Sequence, residues 1–380
     1  MDTVHSESPR PVALLLSPRP AVVAAARRAG ARPVVVAPAA SVPSVREGAE
    51  RPVRTDWRDH RSLTADLARL AAVRDRRAAV FGFDAAGSLA AARANEALGL
   101  PGTSSDAVTA LMDKAALRAR TNTVLHPGHP VSFARCGRAA LLPFIADLIG
   151  YPCVVKPRAG ADGEGVRELT SPADARAASR FYPEITDLLV EELLEGPELT
   201  VEALSRGGRH RILGWTRRFP GPRLTTAGHQ FPVPLAPRPA ASVRAYVRRL
   251  LDLAGHRDGP SHTEVILTPR GPRLVEAHAR PGVMEPDLLR LATGIDVLAL
   301  AVAAALALPP PPLHPRAAHA GVRYVDVPPA PPRPTALAAA RAVPGVIRIH
   351  LSTPHPYILA TAPTAQALTT TLTQATTLLN

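Results

Sequence analysis

The sequence predicts a chain in three parts: a small parallel α/β unit, then an α+β region rich in strands, then a small terminal lobe. Two observations carry that prediction. Over the first hundred residues short apolar runs alternate with stretches of helical composition, the pattern of parallel strands joined by helices. From residue 131 onward strand-like runs follow one another with turn signals between them. Hydrophobic residues make up 46% and charged residues 20% of the 380 positions, which suits two or three globular domains and argues against wholesale disorder.

Val12–Leu16, Val34–Ala37 and Ala78–Phe81 read as buried strands, with helices over Ala21–Ala29, Ser62–Val73 and Ala85–Leu98, the last ending at Gly99. The first strand leads into Ser17-Pro18-Arg19-Pro20 rather than GxGxxG, so nothing there supports dinucleotide binding. Ser105-Asp106 caps a helix running to about Arg120, and a boundary between domains is expected near residues 101–105. A strand over Val131–Arg135, a helix over Ala139–Ile149 and strands at Pro152–Lys156, Asp187–Glu192, Glu198–Leu204 and His210–Arg217 follow. Next come a helix over Ala241–Leu253, a hairpin from His262 to Arg280, and the apolar run Ile295–Leu308. Pro309–Pro312 and Pro328–Pro334 read as stiff connectors around a strand at Val322–Val325. The tail offers strands at Val346–His350 and Tyr357–Thr361 and a helix from Thr364.

The net charge of +13 would suit a polyanionic partner, but the basic residues are scattered and aromatic residues are only 4%, too few for a base-stacking platform. Nucleic acid is therefore not expected. Of 45 basic residues only Lys114 and Lys156 are lysine, and together with abundant Ala, Arg, Pro and Gly this looks like a coding bias toward GC-rich codons. A lysine kept under such a bias is informative, because a compact ammonium and a planar guanidinium do not fill the same site. Two cysteines, Cys136 and Cys153, cannot build a disulfide framework, and no leader or spanning segment is read. A soluble cytoplasmic protein with no membrane partner is expected.

Three segments could carry chemistry. In the first, Lys156 ends a strand and Gly160, Gly163 and Gly165 follow, offering a cation and bare backbone N–H groups to a phosphate, although a solvated turn has the same composition. It is not a Walker loop, since lysine precedes the glycines. In the second, Gly196-Pro197 separates two strands, so that Glu191 and Glu198 could reach a ligand between them or merely be solvated. The third is the hairpin. A three-residue loop Pro269-Arg270-Gly271 would set Glu264 opposite Glu276 and His262 opposite His278, with Arg280 further along the same face. Opposed carboxylates repel unless a divalent cation lies between them, and oxygen ligands suit Mg²⁺; two independent exposed glutamates are the other reading.

In this order the three segments resemble the ATP-grasp superfamily, over most of residues 80–290 and more faintly in the tail. The resemblance implies a Rossmann-like pre-ATP-grasp domain (1–103), a small central subdomain with a Gly-rich loop (104–185), a nucleotide- and metal-binding subdomain (186–308) and a small C-terminal lobe (309–380). It implies ATP and Mg²⁺ as cofactors. Lys114 and Lys156 then match the two phosphate lysines, and Gly160, Gly163 and Gly165 the phosphate loop, where Gly163 and Glu164 stand in place of a common serine. Glu191 would accept from the adenine amino group, the backbone of Glu192, Leu193 and Leu194 would read the adenine edge, and Glu198 would bind the ribose. Glu264 and Glu276 match the metal carboxylates, and His278 replaces the usual asparagine ligand. Arg280 matches an arginine that meets phosphate or the activated carboxylate, with Val283 in place of a common glycine.

The segment Thr226–Pro234, with Gly228-His229, is similar to the GHxxP stretch of carboxylate–amine ligases, the amino-acid (dipeptide) ligases among them, and it puts His229 near substrate. The implied reaction activates a small-molecule carboxylate as an acyl phosphate and transfers it to an amine, with Arg280, His229 and Lys156 as catalytic residues. A homodimer is an admissible assembly. Two other readings keep the fold: a different acceptor, as in carboxylases or acid–thiol ligases, and a nucleotide-binding regulator without turnover.

Overall fold

The computed structural model describes residues 10–38, 52–158, 163, 165–221, 225–316, 318–325, 333–352 and 355–379. Strands β1 (Val12–Leu16), β2 (Arg32–Ala37), β3 (Val53–Arg54) and β4 (Ala78–Phe81) make a parallel sheet in the order β3-β2-β1-β4. Both faces of this sheet are covered, which is why β1 reads as an unbroken apolar run. Val12, Leu14 and Leu16 pack with Leu63, Leu67 and Ala91 of helices His60–Ala68 and Ala85–Leu98. Ala13 and Leu15 pack on the other side with helix Pro20–Arg28 and with Leu298, Ala299 and Val302 of helix Val297–Ala305. The longest apolar stretch of the sequence thus covers a sheet almost 300 residues before it. Asn95 ties its helix to the edge strand, accepting from the Val80 N–H and donating to the Val80 carbonyl at 2.8 and 2.9 Å.

Strands β5 (Phe133–Arg138), β6 (Cys153–Pro157), β7 (Arg167–Leu169) and β8 (Ile185–Glu192) form an antiparallel sheet in the order β5-β8-β6-β7. Helices Leu142–Ile149 and Pro172–Ser179 back it, burying Leu142, Ala146 and Ala175 against Val155, Leu188 and Val190. The remaining strands are β9 (Glu198–Arg206), β10 (Arg209–Pro220), β11 (Thr226–Phe231), β12 (Gly259–Thr268), β13 (Gly271–His278), β14 (His319–Tyr324), β15 (Val346–His350) and β16 (Tyr357–Ala362). They make one antiparallel sheet in the order β13-β12-β9-β10-β11-β14-β16-β15. Helix Pro237–Leu253 lies on it with Val243, Val247, Leu250 and Leu251 at helical spacing, all inaccessible, against Leu199, Val201, Val265 and Leu274.

The structure differs from the sequence reading in four ways that bear on the site. Thr226–Phe231, read as a plain segment, is a strand, and through its pairing with β14 (His229 beside Val322) the terminal strands extend the large sheet. Helices Pro172–Ser179, Glu285–Thr293 and Pro334–Ala342 had no place in that reading, the last starting within an expected connector; each carries proline in its first two positions, where a missing N–H costs no hydrogen bond. The single helix expected from residue 105 is two, Ser105–Met112 and Lys114–Leu125. Asp113 separates them in an extended conformation and caps the second through the Ala116 N–H at 3.0 Å. Finally, the hairpin turn is shorter than expected. Thr268 pairs with Gly271 around two residues, and a bulge at Val275 restores the register, so that Glu264 still faces Glu276 and His262 faces His278.

Cys136 and Cys153 are buried free thiols. Among the described residues no single helix is long and apolar enough to cross a membrane. Two histidines away from the site give the fold a pH dependence: burial, reinforced for His126 by nearby arginines, pushes His126 and His256 down to about 4. Their folded forms stay neutral where the unfolded chain takes up protons. Their contribution is whole above the ordinary histidine pKa of about 6.5 and is lost as pH falls toward 4. The stability gap between wild type and His256→Asn is therefore expected to shrink across that window. Urea midpoints measured at pH 7, 5.5 and 4 check this, and a gap independent of pH would contradict it.

Candidate active site

The two antiparallel sheets face each other across a cleft of about 1960 Å³, which the N-terminal unit borders at Arg19–Ala21 and the terminal lobe at Arg348, His350 and His355–Tyr357. Lys114, Lys156, Glu191, Glu192, Leu193, Leu194, Glu198, His229, Glu264, Glu276 and Arg280 all line it, as does Gly163. Gly165 lies next to it, its carbonyl held by the Tyr182 hydroxyl at 2.5 Å, while Gly160 and Glu164 lie outside the described residues.

Lys114 is the first residue of its helix because Asp113 breaks the chain just before it. Its ammonium reaches Glu276 Oε2 at 3.0 Å. One turn on, Arg118 points the same way and donates to Glu191 Oε1 at 2.6 Å and to the Leu274 carbonyl at 2.5 Å. Lys156, near the end of β6, lies 2.6 Å from Glu191 Oε2 and donates to the Val275 carbonyl at 3.2 Å. The carbonyl that the bulge releases from the ladder is therefore taken by a lysine from the opposite sheet. All three cations are almost fully buried, at 8%, 1% and 6% exposure for Lys114, Arg118 and Lys156. Burial alone would raise the Glu191 carboxyl, but Arg118 and Lys156 pull it down to about 2.

Both oxygens of Glu191 contact Arg118 and Lys156, so it holds the lysine in place. Beyond it, the Glu192 N–H donates to the Ser132 carbonyl and the Leu193 N–H to the Pro152 carbonyl, at 2.9 and 3.2 Å. The turn that follows requires glycine: Gly196 has φ of 144°, and a Cβ there would come within 2.3 Å of the Leu267 carbonyl oxygen. Glu198 pairs with Arg218 Nη1 at 2.5 Å. Burial first, and then the neighbouring Glu264 charge, nevertheless push its carboxyl up to about 7 against the pull of Arg218.

The facing carboxylates stand on β12 and β13. Burial opposes the ionisation of Glu276, but His278 and Lys114 hold it well below the ordinary carboxylate range. His278 presents Nε2 to Glu276 Oε1 at 3.0 Å and its Nδ1 is buried without a hydrogen-bond partner. Through Nε2 it braces Glu276. On β12, His262 contacts Glu202 and Glu264, which raise it well above an ordinary imidazole against the effect of burial. His229, pushed down by burial, lies 3.2 Å from Glu285. Arg280 is 6% exposed, with Nη1 on the Pro281 carbonyl at 3.0 Å and Nε without a hydrogen-bond partner among the described residues. The donor set of Glu264 and Glu276, oxygen only and partly open to the cleft at 21% and 16%, fits a hard divalent cation such as Mg²⁺.

Arg118, Glu202 and Glu285 were not among the expected site residues, and His262 was read only as facing His278. Arg118 was within reach of sequence reasoning, since it follows Lys114 by four on one helix. Glu202 was visible only once β9 was paired with β12, where it lies opposite His262. Glu285 had no local signal: it sits at the start of a helix and reaches the site only through its tertiary contacts.

A cleft between two antiparallel sheets, with paired lysines and paired carboxylates meeting in it, is the architecture of an ATP-grasp fold, and residues 149–283 match the ATP-grasp domain family. Among curated relatives, the chain is 28% identical over 208 residues to an uncharacterized protein of Sinorhizobium fredii, covering 52% of this chain and 42% of that one. It is 27% identical over 234 residues to a D-alanine–D-alanine ligase of Ralstonia nicotianae, covering 56% of this chain and 70% of the ligase. The chain thus matches less than half the length of the first relative. Among solved structures, the L-amino acid ligase of Bacillus licheniformis superposes with a TM-score of 0.79 at 21% identity, over 97% of this chain and 98% of that one.

Proposed function

We propose that the chain is an ATP-dependent carboxylate–amine ligase that forms an amide bond through an acyl phosphate and releases ADP and phosphate. One observation carries this reading: the two lysines of the whole sequence, on different elements, meet in one cleft beside the facing Glu264 and Glu276. The similarity to a D-alanine–D-alanine ligase supports the amide product. The domain bounds expected above serve as its working division, with helix Val297–Ala305 tying the nucleotide-binding part to the N-terminal sheet.

The physical problem is the approach of an anionic carboxylate to an anionic triphosphate. Lys114 and Lys156 would lie against the phosphates, the Leu194 amide and Glu198 would meet adenine and ribose, and Glu264 and Glu276 would hold Mg²⁺, which when bound neutralises phosphate charge. Arg280 would face the carboxylate as phosphate transfers to it, stabilising the charge that develops. An amine then attacks the acyl carbon, phosphate leaves, and the amine proton needs an acceptor. His229, kept neutral by burial and oriented by Glu285, stands in the same cleft for that role.

The test is an ADP-release screen over pairs of small carboxylic acids and amines, with the mass of each product measured. ADP is expected only when acid and amine are both present, with a product mass equal to acid plus amine minus water. Turnover with bicarbonate or a thiol and no amine would overturn the ligase reading, and so would nucleotide binding without turnover on any pair.

A further inference from the structure

We propose that His262 is a positioning residue for Glu264, joined through Glu202 to the turn at Gly282, so that the carboxylate keeps one oxygen for the cation. This rests on the reading of Glu264 as a metal ligand. In the pairing of β9 with β12, Glu202 stands opposite His262 and Thr200 opposite Glu264. Residues two apart on a strand share a face, so His262 and Glu264 lie side by side. The ring is 5% exposed and Glu202 fully buried. His262 Nδ1 lies 2.5 Å from Glu202 Oε1, and Nε2 lies 3.3 Å from Glu264 Oε1.

The far end of this train is anchored as firmly as its middle. The Gly282 N–H donates to both oxygens of Glu202, at 3.2 and 3.3 Å. A Cβ at Gly282 would lie 2.7 Å from His262 Nδ1 and 2.2 Å from Glu285 Oε2, so the turn packs directly on the bridge and only glycine fits there. The partner strand repeats the device with different parts: Glu276 takes His278 on Oε1 and Lys114 on Oε2. Glu276 is thus oriented through both oxygens and Glu264 through Oε1, which leaves Glu264 Oε2 and the second lone pairs of Glu276 for a shared cation. Groups that orient a metal ligand from behind are typically worth roughly tenfold to a hundredfold in metal affinity.

The experiment measures Mn²⁺ binding by electron paramagnetic resonance, in the full chain with a non-hydrolysable ATP analogue, for wild type, His262→Ala, His262→Gln and Glu202→Gln. The dissociation constant for Mn²⁺ is expected to rise about tenfold or more in His262→Ala and to recover in part in His262→Gln, whose amide can still reach Glu264. Binding of the analogue without metal is expected to change less than about twofold, a split that a general loss of structure would not produce. Unchanged Mn²⁺ affinity in a folded His262→Ala overturns the positioning role alone. Should that variant not fold, unchanged Mn²⁺ affinity in Glu202→Gln overturns it. Absence of Mn²⁺ binding in the wild type would overturn the metal reading itself, and the ADP screen detects a failure of the ligase reading separately.

Discussion

Lys156→Arg is expected to lower kcat/KM for ATP by about a hundredfold to a thousandfold, although it keeps the charge. The ammonium is wedged between Glu191 Oε2 and the Val275 carbonyl, at 2.6 and 3.2 Å, next to the buried guanidinium of Arg118. A guanidinium is longer and planar, and the pocket is 94% closed around the lysine it was built for. The substituted group would be pushed toward the phosphate position or would displace Arg118. Steady-state kinetics with ATP as the varied substrate measure the effect, together with a melting curve to show that the variant folds. Wild-type turnover would remove Lys156 from the phosphate site and with it the main support for the ligase reading.

Glu191→Gln is expected to give the largest loss of stability, about 3–5 kcal/mol, because it leaves Arg118 and Lys156 buried beside a neutral amide. The loss depends on pH with a definite sign. With its folded pKa held at about 2, below the ordinary 4.5, Glu191 contributes its full stabilisation above about pH 4.5 and loses it as pH falls toward 2. The difference in urea midpoint between wild type and variant should therefore be largest near neutrality and narrow in acid. A neutral-pH difference below about 1 kcal/mol, the range of exposed ion pairs, would mean that these three groups are not the buried cluster described.

The two outcomes are coupled through geometry. Glu191, on β8, holds Lys156 from below, and the bulge at Val275 on β13 holds it from the opposite sheet. A change at Glu191 is thus expected to weaken nucleotide use as well as the fold, whereas a change at Lys156 leaves Arg118 to satisfy Glu191.

Much of the scaffold was legible in the chain itself, and the reasons are local. The runs Val12–Leu16 and Ala78–Phe81 are strands over the residues read, because a strand buried on both faces must be apolar throughout. Ala85–Leu98 is a helix over the residues read, because Gly99 adopts the left-handed conformation that ends it. The two lysines were marked as a pair by composition alone, since nearly every other cation in the chain is arginine. The facing of Glu264 and Glu276 was read from a loop one residue too long, and it holds only because the bulge at Val275 compensates for the shorter turn.

What the tertiary structure alone decided is which charges are spent on one another. The family resemblance put Glu191 beside the ligand, but only the meeting of Arg118 from helix Lys114–Leu125 and Lys156 from β6 on that carboxylate shows that both its oxygens are taken. The bulge that corrects the short hairpin turn, the strand that carries His229 into the large sheet, and the train from Gly282 through Glu202 and His262 to Glu264 all join residues distant in sequence. Period and capping are set by neighbours a few residues away and are written locally. The ionisation and orientation of a buried side chain depend on every charge that folding brings within a few ångströms, and that set exists only once the sheets have closed on each other.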